Sequence, residues 1–195
     1  MQVVLASSNR GKLKEIQALL APLHVRVLPQ TALAVPEVEE TCPTFVENAL
    51  LKARNAARFT GLPALADDSG LEVEALGGAP GVYSARYAGP HADDAANVAK
   101  LLEALAGFSL EERGARFRCV LVFLRHALDP SPLIAEGTWE GVIAEEPRGE
   151  GGFGYDPVFY LPPLKRTAAE LTPQGKNALS HRGQALRQLL ARWPR

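Results

Sequence analysis

The order of elements at the start of the chain constrains its fold more than any other feature. Residues 2–6 form a short apolar run, which predicts a buried strand. The polar residues 7–10 indicate a loop, and residues 11–21 carry leucine and isoleucine side chains at helical spacing. A strand, a polar loop and an amphipathic helix open an α/β unit, so we expect a sheet covered by helices.

Later segments repeat both patterns and add a long hairpin. Helical spacing and short apolar runs alternate, with predicted helices at 44–59, 93–105 and 180–193 and predicted strands at 24–28, 64–66, 71–76 and 158–160. The runs 115–127 and 133–145 flank a proline-rich turn and predict two long antiparallel strands. Crossover helices combined with a hairpin predict an α/β fold with a mixed β-sheet flanked by helices, in a single two-lobed domain over residues 1–195.

Charge and cysteine content exclude several functional classes. Lys and Arg total 21 against 22 for Asp and Glu, and the net charge of −1 argues against a protein that binds duplex nucleic acid. Cys42 and Cys119 form no CxxC pair and the histidines lack metal-ligand spacing, which disfavours a disulfide scaffold and a zinc site. The first apolar run is too short for a signal peptide, and no stretch approaches the ~18 apolar residues of a membrane span. We therefore expect a soluble cytoplasmic protein that binds neither nucleic acid nor membrane.

The loop between the first strand and helix has the composition of a phosphate site. Its residues are Ser7, Ser8, Asn9, Arg10, Gly11 and Lys12. Unpaired N–H groups at a helix N-terminus, together with hydroxyl, amide and ammonium donors, favour phosphate binding. The loop is not a Walker A motif, because Ala6 and Leu13 stand where that motif needs Gly and Ser or Thr. A solvated loop before a capped helix is the alternative interpretation.

Two adjacent carboxylates, Asp67 and Asp68, stand between two predicted short strands. Carboxylates at a strand end are costly to bury unless a cation or a metal neutralises them. Oxygen ligands without histidine or cysteine favour Mg²⁺ or Mn²⁺, and Glu39 or Glu40 in the preceding loop could supply another ligand. The alternative is a plain Asp-Ser-Gly turn with solvated acids.

The helix predicted over residues 44–59 carries a polar stripe. Thr44 and Glu47 have the spacing of a capping box and mark its start. Asn48, Lys52 and Asn55 share one face of the helix. A solvated helix face is the alternative interpretation of this stripe.

Two segments towards the C-terminus have features of nucleotide sites. The glycine-rich stretch 151–157 holds Phe153, and an aromatic ring in such a loop can stack on a base. Ser180, His181 and Arg182 open the last predicted helix and offer cationic donors beside its dipole. The alternatives are a bulge around a buried ring and an ordinary capped helix.

These motifs, in this order, resemble those of the inosine triphosphate pyrophosphatase family. The matching segments are LASSNRGKLKE at 5–15, TFVENALLKAR at 44–54, ADDSGLEVEALGGAPGVYSARYAG at 66–89, GGFGYDPVF at 151–159 and SHRGQAL at 180–186. The resemblance implies an elongated mixed sheet in two lobes with the nucleotide in a cleft between them, usually in a homodimer. It implies house-cleaning hydrolysis of ITP, dITP and XTP to the monophosphate and pyrophosphate, with Mg²⁺ or a substituting Mn²⁺.

The resemblance also assigns roles to individual residues. It implies that Glu40 and Asp68 are metal ligands, and that Asp67, Asp68 and Lys52 form the catalytic set. The residues implied to bind substrate are Ser7, Ser8, Asn9, Arg10, Gly11, Lys12, Ser69, Phe153, Gly154, Tyr155, Asp156, Lys176, His181 and Arg182. Within that set, Phe153 is expected to stack on the base, while His181 and Arg182 donate to its 6-oxo group.

Some questions stay open at this level. Ser7 and Ser8 stand where the family often has Thr-Gly, so the loop keeps a hydroxyl but lacks the backbone freedom that Gly would give. A metal-bound carboxylate is a weak base, so Asp68 either accepts a proton or only orients water. Two other functions are alternatives: a pyrophosphatase of a related fold acting on modified pyrimidine nucleotides, and a nucleotide-binding sensor without turnover. The SHR and GFGYDP segments argue against the first, and the complete carboxylate set argues against the second.

Overall fold

The computed structural model describes residues 1–21 and 25–193. The strands are β1 (Gln2–Ala6), β2 (Arg26–Pro29), β3 (Ala64–Val73), β4 (Gly114–Leu124), β5 (Leu133–Ile143), β6 (Phe159–Leu161) and β7 (Arg166–Thr167). The α-helices are α1 (Arg10–Leu20), α2 (Phe45–Thr60), α3 (Asp94–Ala104), α4 (Pro173–Leu179) and α5 (His181–Ala191). None of these helices is long and apolar enough to cross a membrane.

Within the described residues, the strands form one seven-stranded sheet in the order β2-β1-β3-β4-β5-β6-β7. Strand β1 is parallel to both β2 and β3. Strand β6 is antiparallel to both β5 and β7. The sheet is therefore mixed, which confirms the predicted fold class, and β4 and β5 are neighbours in it as the hairpin pattern predicts.

The chain groups into two compact units. The first comprises Met1–Asp68, Cys119–Gly137 and Arg182–Arg195, and the second comprises Ser69–Arg118 and Thr138–His181. The core of the second unit contains strand residues such as Leu71 and Phe159, together with Val98 and Leu101 from α3. The ring centroids of Phe117 and Phe159, both in this core, lie 4.4 Å apart.

The first unit shows how alternation along a strand sorts side chains between two helical layers. Val3 and Leu5 of β1 pack with α1 and α5, whereas Val4 and Ala6 pack with the alanine-rich face of α2. Successive side chains of a strand point to opposite faces, so a strand buried on both faces is apolar throughout. This sorting also decides which layer each polar residue of the neighbouring strand β3 meets.

The start of α2 confirms its sequence prediction. Thr44 is the N-cap, and its hydroxyl oxygen accepts the Glu47 N–H at 3.3 Å. The same hydroxyl donates to the Glu47 carboxylate at 2.5 Å. Gly61 ends the helix with φ +68°, a left-handed conformation that favours glycine.

Two parts of the sequence-based element prediction are wrong. Residues 64–66 and 71–76 were expected to be separate strands around a turn, but β3 runs unbroken through Asp67 and Asp68. The strand continues because both carboxylates have cationic partners, so their burial does not require a solvated turn.

Helix α4 is absent from the prediction, although Thr172 as N-cap and Pro173 in the first turn are its sequence signals. The strand expected at 24–28 is β2, and its first predicted residue, His24, lies outside the described residues.

Candidate functional site

The first-unit loop between β1 and α1 is organised by its own side chains. The Ser7 hydroxyl accepts the Asn9 N–H at 3.2 Å. Asn9 is the N-cap of α1, and its side chain accepts the Lys12 N–H at 3.1 Å. Ser8 and Arg10 are exposed, and Gly11 is half-buried. The expected phosphate-binding residues therefore stand at the N-terminus of a capped helix, where backbone N–H groups favour anions.

Asp67 is fully buried and lies between two cations. Lys12 Nζ lies 2.6 Å from its Oδ1, and Arg182 Nε lies 2.7 Å from its Oδ2. Burial alone would raise the pKa of Asp67, but Arg182 and Lys12 hold it well below its usual range. Asp67 is thus a permanent carboxylate that fixes the position of Lys12.

The network around Asp67 extends to two residues that sequence reasoning did not connect with the site. The Arg182 guanidinium, 1% exposed, also donates to the Glu15 carboxylate of α1. The Cys119 thiol lies 3.2 Å from Asp67 Oδ2. Burial and the neighbouring Asp67 charge raise the pKa of this thiol well above its usual range, so it stays a donor. Glu15 ends the first matching segment, LASSNRGKLKE, and lies one helical turn after Lys12.

Asp68 and Glu40 share a different lysine. Lys52 Nζ lies 2.7 Å from Asp68 Oδ1 and 3.1 Å from Glu40 Oε1. Burial raises the pKa of Asp68 to about 6 despite the nearby lysines, with a further contribution from Glu40. For Glu40, burial opposes ionisation, but Lys52, with smaller contributions from Lys12 and Asp68, lowers the pKa. Burial likewise acts against a charged Lys52, yet the two carboxylates raise its pKa.

One carboxylate oxygen of this cluster is available to bind a further group. Asp68 Oδ2 is buried and has no hydrogen-bond partner among the described residues. A buried oxygen of this kind costs roughly 1–3 kcal/mol unless something binds it. The described residues contain no group of three or more metal-ligating side chains. Asp68 and Glu40, which share Lys52, are the two carboxylates that could hold a cation here. That donor set fits Mg²⁺, which commonly takes one or two carboxylates and completes its shell with substrate phosphate and water.

The second unit holds the glycine-rich loop in one defined conformation. Asp156 Oδ2 accepts the Phe153 N–H at 2.9 Å and the Lys176 ammonium at 2.5 Å. Lys176 Nζ lies 4.6 Å from the centroid of the Phe153 ring, in a cation–π contact. Gly152 has φ +73°, and a Cβ there would lie 2.0 Å from Asp156 Oδ2. The loop therefore requires glycine at this position to present the Phe153 ring.

Two residues beside Phe153 have contacts within the second unit. Gly154 N–H donates to Asp94 Oδ2 at 2.6 Å, which anchors the loop to the first turn of α3. The Tyr155 hydroxyl donates to the Ser84 carbonyl at 2.8 Å, and burial raises the pKa of this phenol. Asp94 was not expected from the sequence, because an acid in the first turn of a helix is common. Tyr155, expected to hold the nucleotide, is a buried core side chain here.

His181 is a buried member of an aromatic stack in the second unit. Its ring lies 4.7 Å from Phe117 at an angle of 15° and 6.4 Å from Trp139 at 22°. Stacking on both neighbours restricts the imidazole to one plane. Ser69, the other expected contact, follows Asp68 in β3 and is half-buried.

Comparison with known proteins identifies the family. The Ham1 family model matches residues 3–192. The dITP/XTP pyrophosphatase of Thioalkalivibrio sulfidiphilus is 62% identical, and the match covers 98% of this chain and 98% of that protein. The dITP/XTP pyrophosphatase of Escherichia coli O157:H7 is 58% identical, and the match covers 97% of this chain and 96% of that protein. The solved structure of a HAM1 protein from Coxiella burnetii matches with a TM-score of 0.90 and 58% identity, over 98% of this chain and 97% of that one. A dITP/XTP pyrophosphatase from Mycobacterium abscessus matches with a TM-score of 0.75 and 45% identity, over the full length of both chains. The chain belongs to the Ham1 family.

Proposed function

We propose that this chain hydrolyses the non-standard purine nucleotides dITP, XTP and ITP to the monophosphate and pyrophosphate, and so removes them from the nucleotide pool. Relatives named dITP/XTP pyrophosphatase, 58–62% identical over nearly the whole chain, support this activity. The structural observation that carries this proposal is the cluster in which Asp68 and Glu40 both form ion pairs with Lys52. In that cluster, the buried Asp68 Oδ2 has no hydrogen-bond partner among the described residues. This cluster combines cationic donors for phosphate with carboxylates for a divalent cation.

Lys12 and Lys52 would neutralise charge on the departing pyrophosphate. Both ammonium groups lie in the first unit, and each already contacts a buried carboxylate. Fixed cations stabilise developing charge well because they need no rearrangement during the reaction. The capped N-terminus of α1 would add backbone donors for the phosphate chain.

Asp68 would orient the attacking water. Its unpartnered Oδ2 can accept a hydrogen bond, while Lys52 holds its other oxygen. Mg²⁺, held by Asp68 and Glu40, would supply Lewis-acid polarisation of the phosphate. Asp67 has a different task, since its oxygens already face Lys12 and Arg182.

Recognition of the base is assigned to Phe153 and His181, which both belong to the second unit. Lys176 and Asp156 fix the ring and its loop, so the ring can stack on a purine. His181 would donate to the 6-oxo group of hypoxanthine or xanthine, where adenine carries an amino group instead. Unpaired donors in a buried site reject such an analogue by up to about 10⁴. Arg182 is assigned to the framework around Asp67, because its guanidinium is buried against two carboxylates.

The test is a nucleotide panel in which pyrophosphate and phosphate are measured separately. We expect dITP, XTP and ITP to release pyrophosphate far faster than ATP, GTP or a modified pyrimidine triphosphate. Glu40→Gln should lower kcat at least about 10-fold, whereas Glu37→Gln, which changes an exposed acid three residues earlier, should not. Release of phosphate instead of pyrophosphate, or binding without turnover in Mg²⁺, would contradict the proposal.

Assembly and location complete the proposal. The resemblance in sequence to a family of homodimers leads us to propose a homodimer, which light scattering at several concentrations would test. We also propose that the chain acts in the cytoplasm. Its two cysteines are free thiols in the described structure, as is usual in a reducing compartment.

A further inference from the structure

The polar stripe of α2 contacts the segment 36–42, which carries Glu40. The Asn48 side chain accepts the Cys42 N–H at 3.0 Å and donates to the Cys42 carbonyl at 3.1 Å. One turn on, Lys52 binds Glu40. Asn55 Nδ2 then donates to the Pro36 carbonyl at 2.7 Å. The segment therefore runs antiparallel to the helix and is held near both ends and at Glu40.

The segment is longer than the distance between its two asparagine contacts requires. From Asn48 to Asn55 the helix rises about 10 Å. From Pro36 to Cys42 an extended chain can reach about 20 Å. The segment is mostly exposed, so apolar packing contributes little to its position. Without the two asparagine contacts, the chain on either side of Glu40 could adopt many conformations.

Asn48 is suited to this contact by its chemistry. The side chain is fully buried, and it satisfies both the donor and the acceptor of one backbone residue. A carboxamide can do both, whereas a carboxylate lacks the donor and a hydroxyl cannot span the pair. The anchored residue, Cys42, lies two positions after Glu40.

We propose that Asn48 and Asn55 are positioning residues that hold segment 36–42 so that the Glu40 carboxylate stays beside Asp68. What the two carboxylates bind rests on the proposed function; the anchoring of the segment does not. Removing either asparagine leaves Lys52, Glu40 and Asp68 chemically intact but lets the Glu40 carboxylate move away. The loss should therefore fall on binding of the divalent cation rather than on the chemical step.

The thiol of Cys42 can report whether the two asparagines anchor segment 36–42. Cys42 is half-buried at the anchored position, while Cys119 is fully buried. The rate at which a disulfide reagent modifies Cys42, located by mass spectrometry, measures how freely the segment opens. We expect Asn48→Ala and Asn55→Ala to raise that rate on the order of 10-fold, as local opening becomes easier. Cys119 should stay unmodified in every folded variant.

Binding of a divalent cation tests whether the two asparagines position the Glu40 carboxylate beside Asp68. Binding of Mn²⁺ together with a non-hydrolysable dITP analogue should weaken roughly 10-fold or more, as is usual when residues that orient metal ligands are removed. At saturating Mn²⁺, kcat for dITP should fall less than 3-fold. Asn55→Gln, which can still donate to Pro36, should restore most of both properties. If Asn48→Ala does not fold, the two Asn55 variants decide the matter.

Asn97 provides a matched control. It is a buried helix asparagine that bridges its own loop in the same way, accepting from Ala88 N–H at 2.8 Å and donating to the Ala85 carbonyl at 3.2 Å. Asn97→Ala should lower stability without changing the Cys42 rate or Mn²⁺ binding. An unchanged Cys42 rate in both anchor variants overturns the anchoring, and faster modification with unchanged Mn²⁺ binding overturns the positioning role. If the wild-type chain hydrolyses no triphosphate, the proposed function fails while these two measurements still decide the anchoring.

Discussion

The carboxylates of Asp67 and Asp68 are adjacent in β3 but serve opposite faces of the sheet. Asp67 lies with Cys119 on the face covered by α1 and α5, where it pairs with Lys12 and Arg182. Asp68 lies on the face covered by α2, where it pairs with Lys52. Strand alternation imposes this division, so neighbouring acids acquire different partners and different ionisation behaviour.

Asp67 should contribute mainly to stability. We expect Asp67→Asn to lower the free energy of unfolding by about 3–5 kcal/mol at pH 7, because it leaves buried cations without their counter-charge. The folded-state pKa of Asp67 is depressed, so its contribution is present above the unfolded value of about 4 and is lost as the pH falls below it. Urea unfolding between pH 3 and pH 7 measures both effects. A variant as stable as wild type would contradict this role.

Asp68 should show the opposite behaviour. Its pKa is raised to about 6 in the folded chain, so metal-free stability falls as the pH rises from its unfolded value towards 6. We therefore expect this pH dependence to disappear in Asp68→Asn, in which Lys52 keeps the Glu40 carboxylate as a partner. The same variant should lose about 10² or more in kcat. An unchanged pH dependence of stability together with normal turnover would contradict the assignment.

Lys12 should act on the triphosphate tail. Removing one fixed donor to developing charge typically costs about 10²–10³ in rate, so Lys12→Ala should lower kcat/KM for ITP by that order. Affinity for inosine monophosphate, which lacks the pyrophosphate, should change little in a calorimetric titration. Lys14→Ala, an exposed lysine of the same helix, is the control. Equal losses for both nucleotides would place Lys12 away from the leaving group.

Arg182 should act through Asp67 rather than on the base. Arg182→Ala is expected to lower the turnover of ITP and ATP by the same factor and to destabilise the fold, since Asp67 and Glu15 lose their shared cation. Arg182→Lys should not rescue, because an ammonium lacks the planar fork that reaches both carboxylates. Steady-state kinetics with both nucleotides decide the question. A selective loss of ITP turnover would show that Arg182 contacts the base.

Phe153 should contribute stacking energy. Base stacking on an aromatic side chain is worth about 1–3 kcal/mol, so Phe153→Ala should raise KM for dITP roughly tenfold, with a smaller change in kcat. Phe153→Tyr should retain most of the affinity, because the ring and its cation–π contact with Lys176 remain. Phe59→Ala, which removes an exposed ring of α2, is the control. Equal KM values for Phe153→Ala and wild type would exclude a stacking role.

Local patterns in the sequence determined much of the fold. The apolar run of β1, the spacing of α1, and Thr44 at the start of α2 each reflect amphipathicity or capping within a few residues. The motif order was specific enough to identify the family, which the comparisons confirm. These properties are readable because they depend on neighbours along the chain.

Only the tertiary structure decided which charged residues pair with one another and which role each of them has. Whether β3 would continue through Asp67 and Asp68 depended on Lys12, Lys52 and Arg182, the last of them 115 residues from Asp67. The sequence left open whether the polar stripe of α2 is a solvated face, whereas in the structure segment 36–42 packs along it. A buried charge or amide is defined by its partner, and packing brings together partners whose distance along the chain carries no periodic signal.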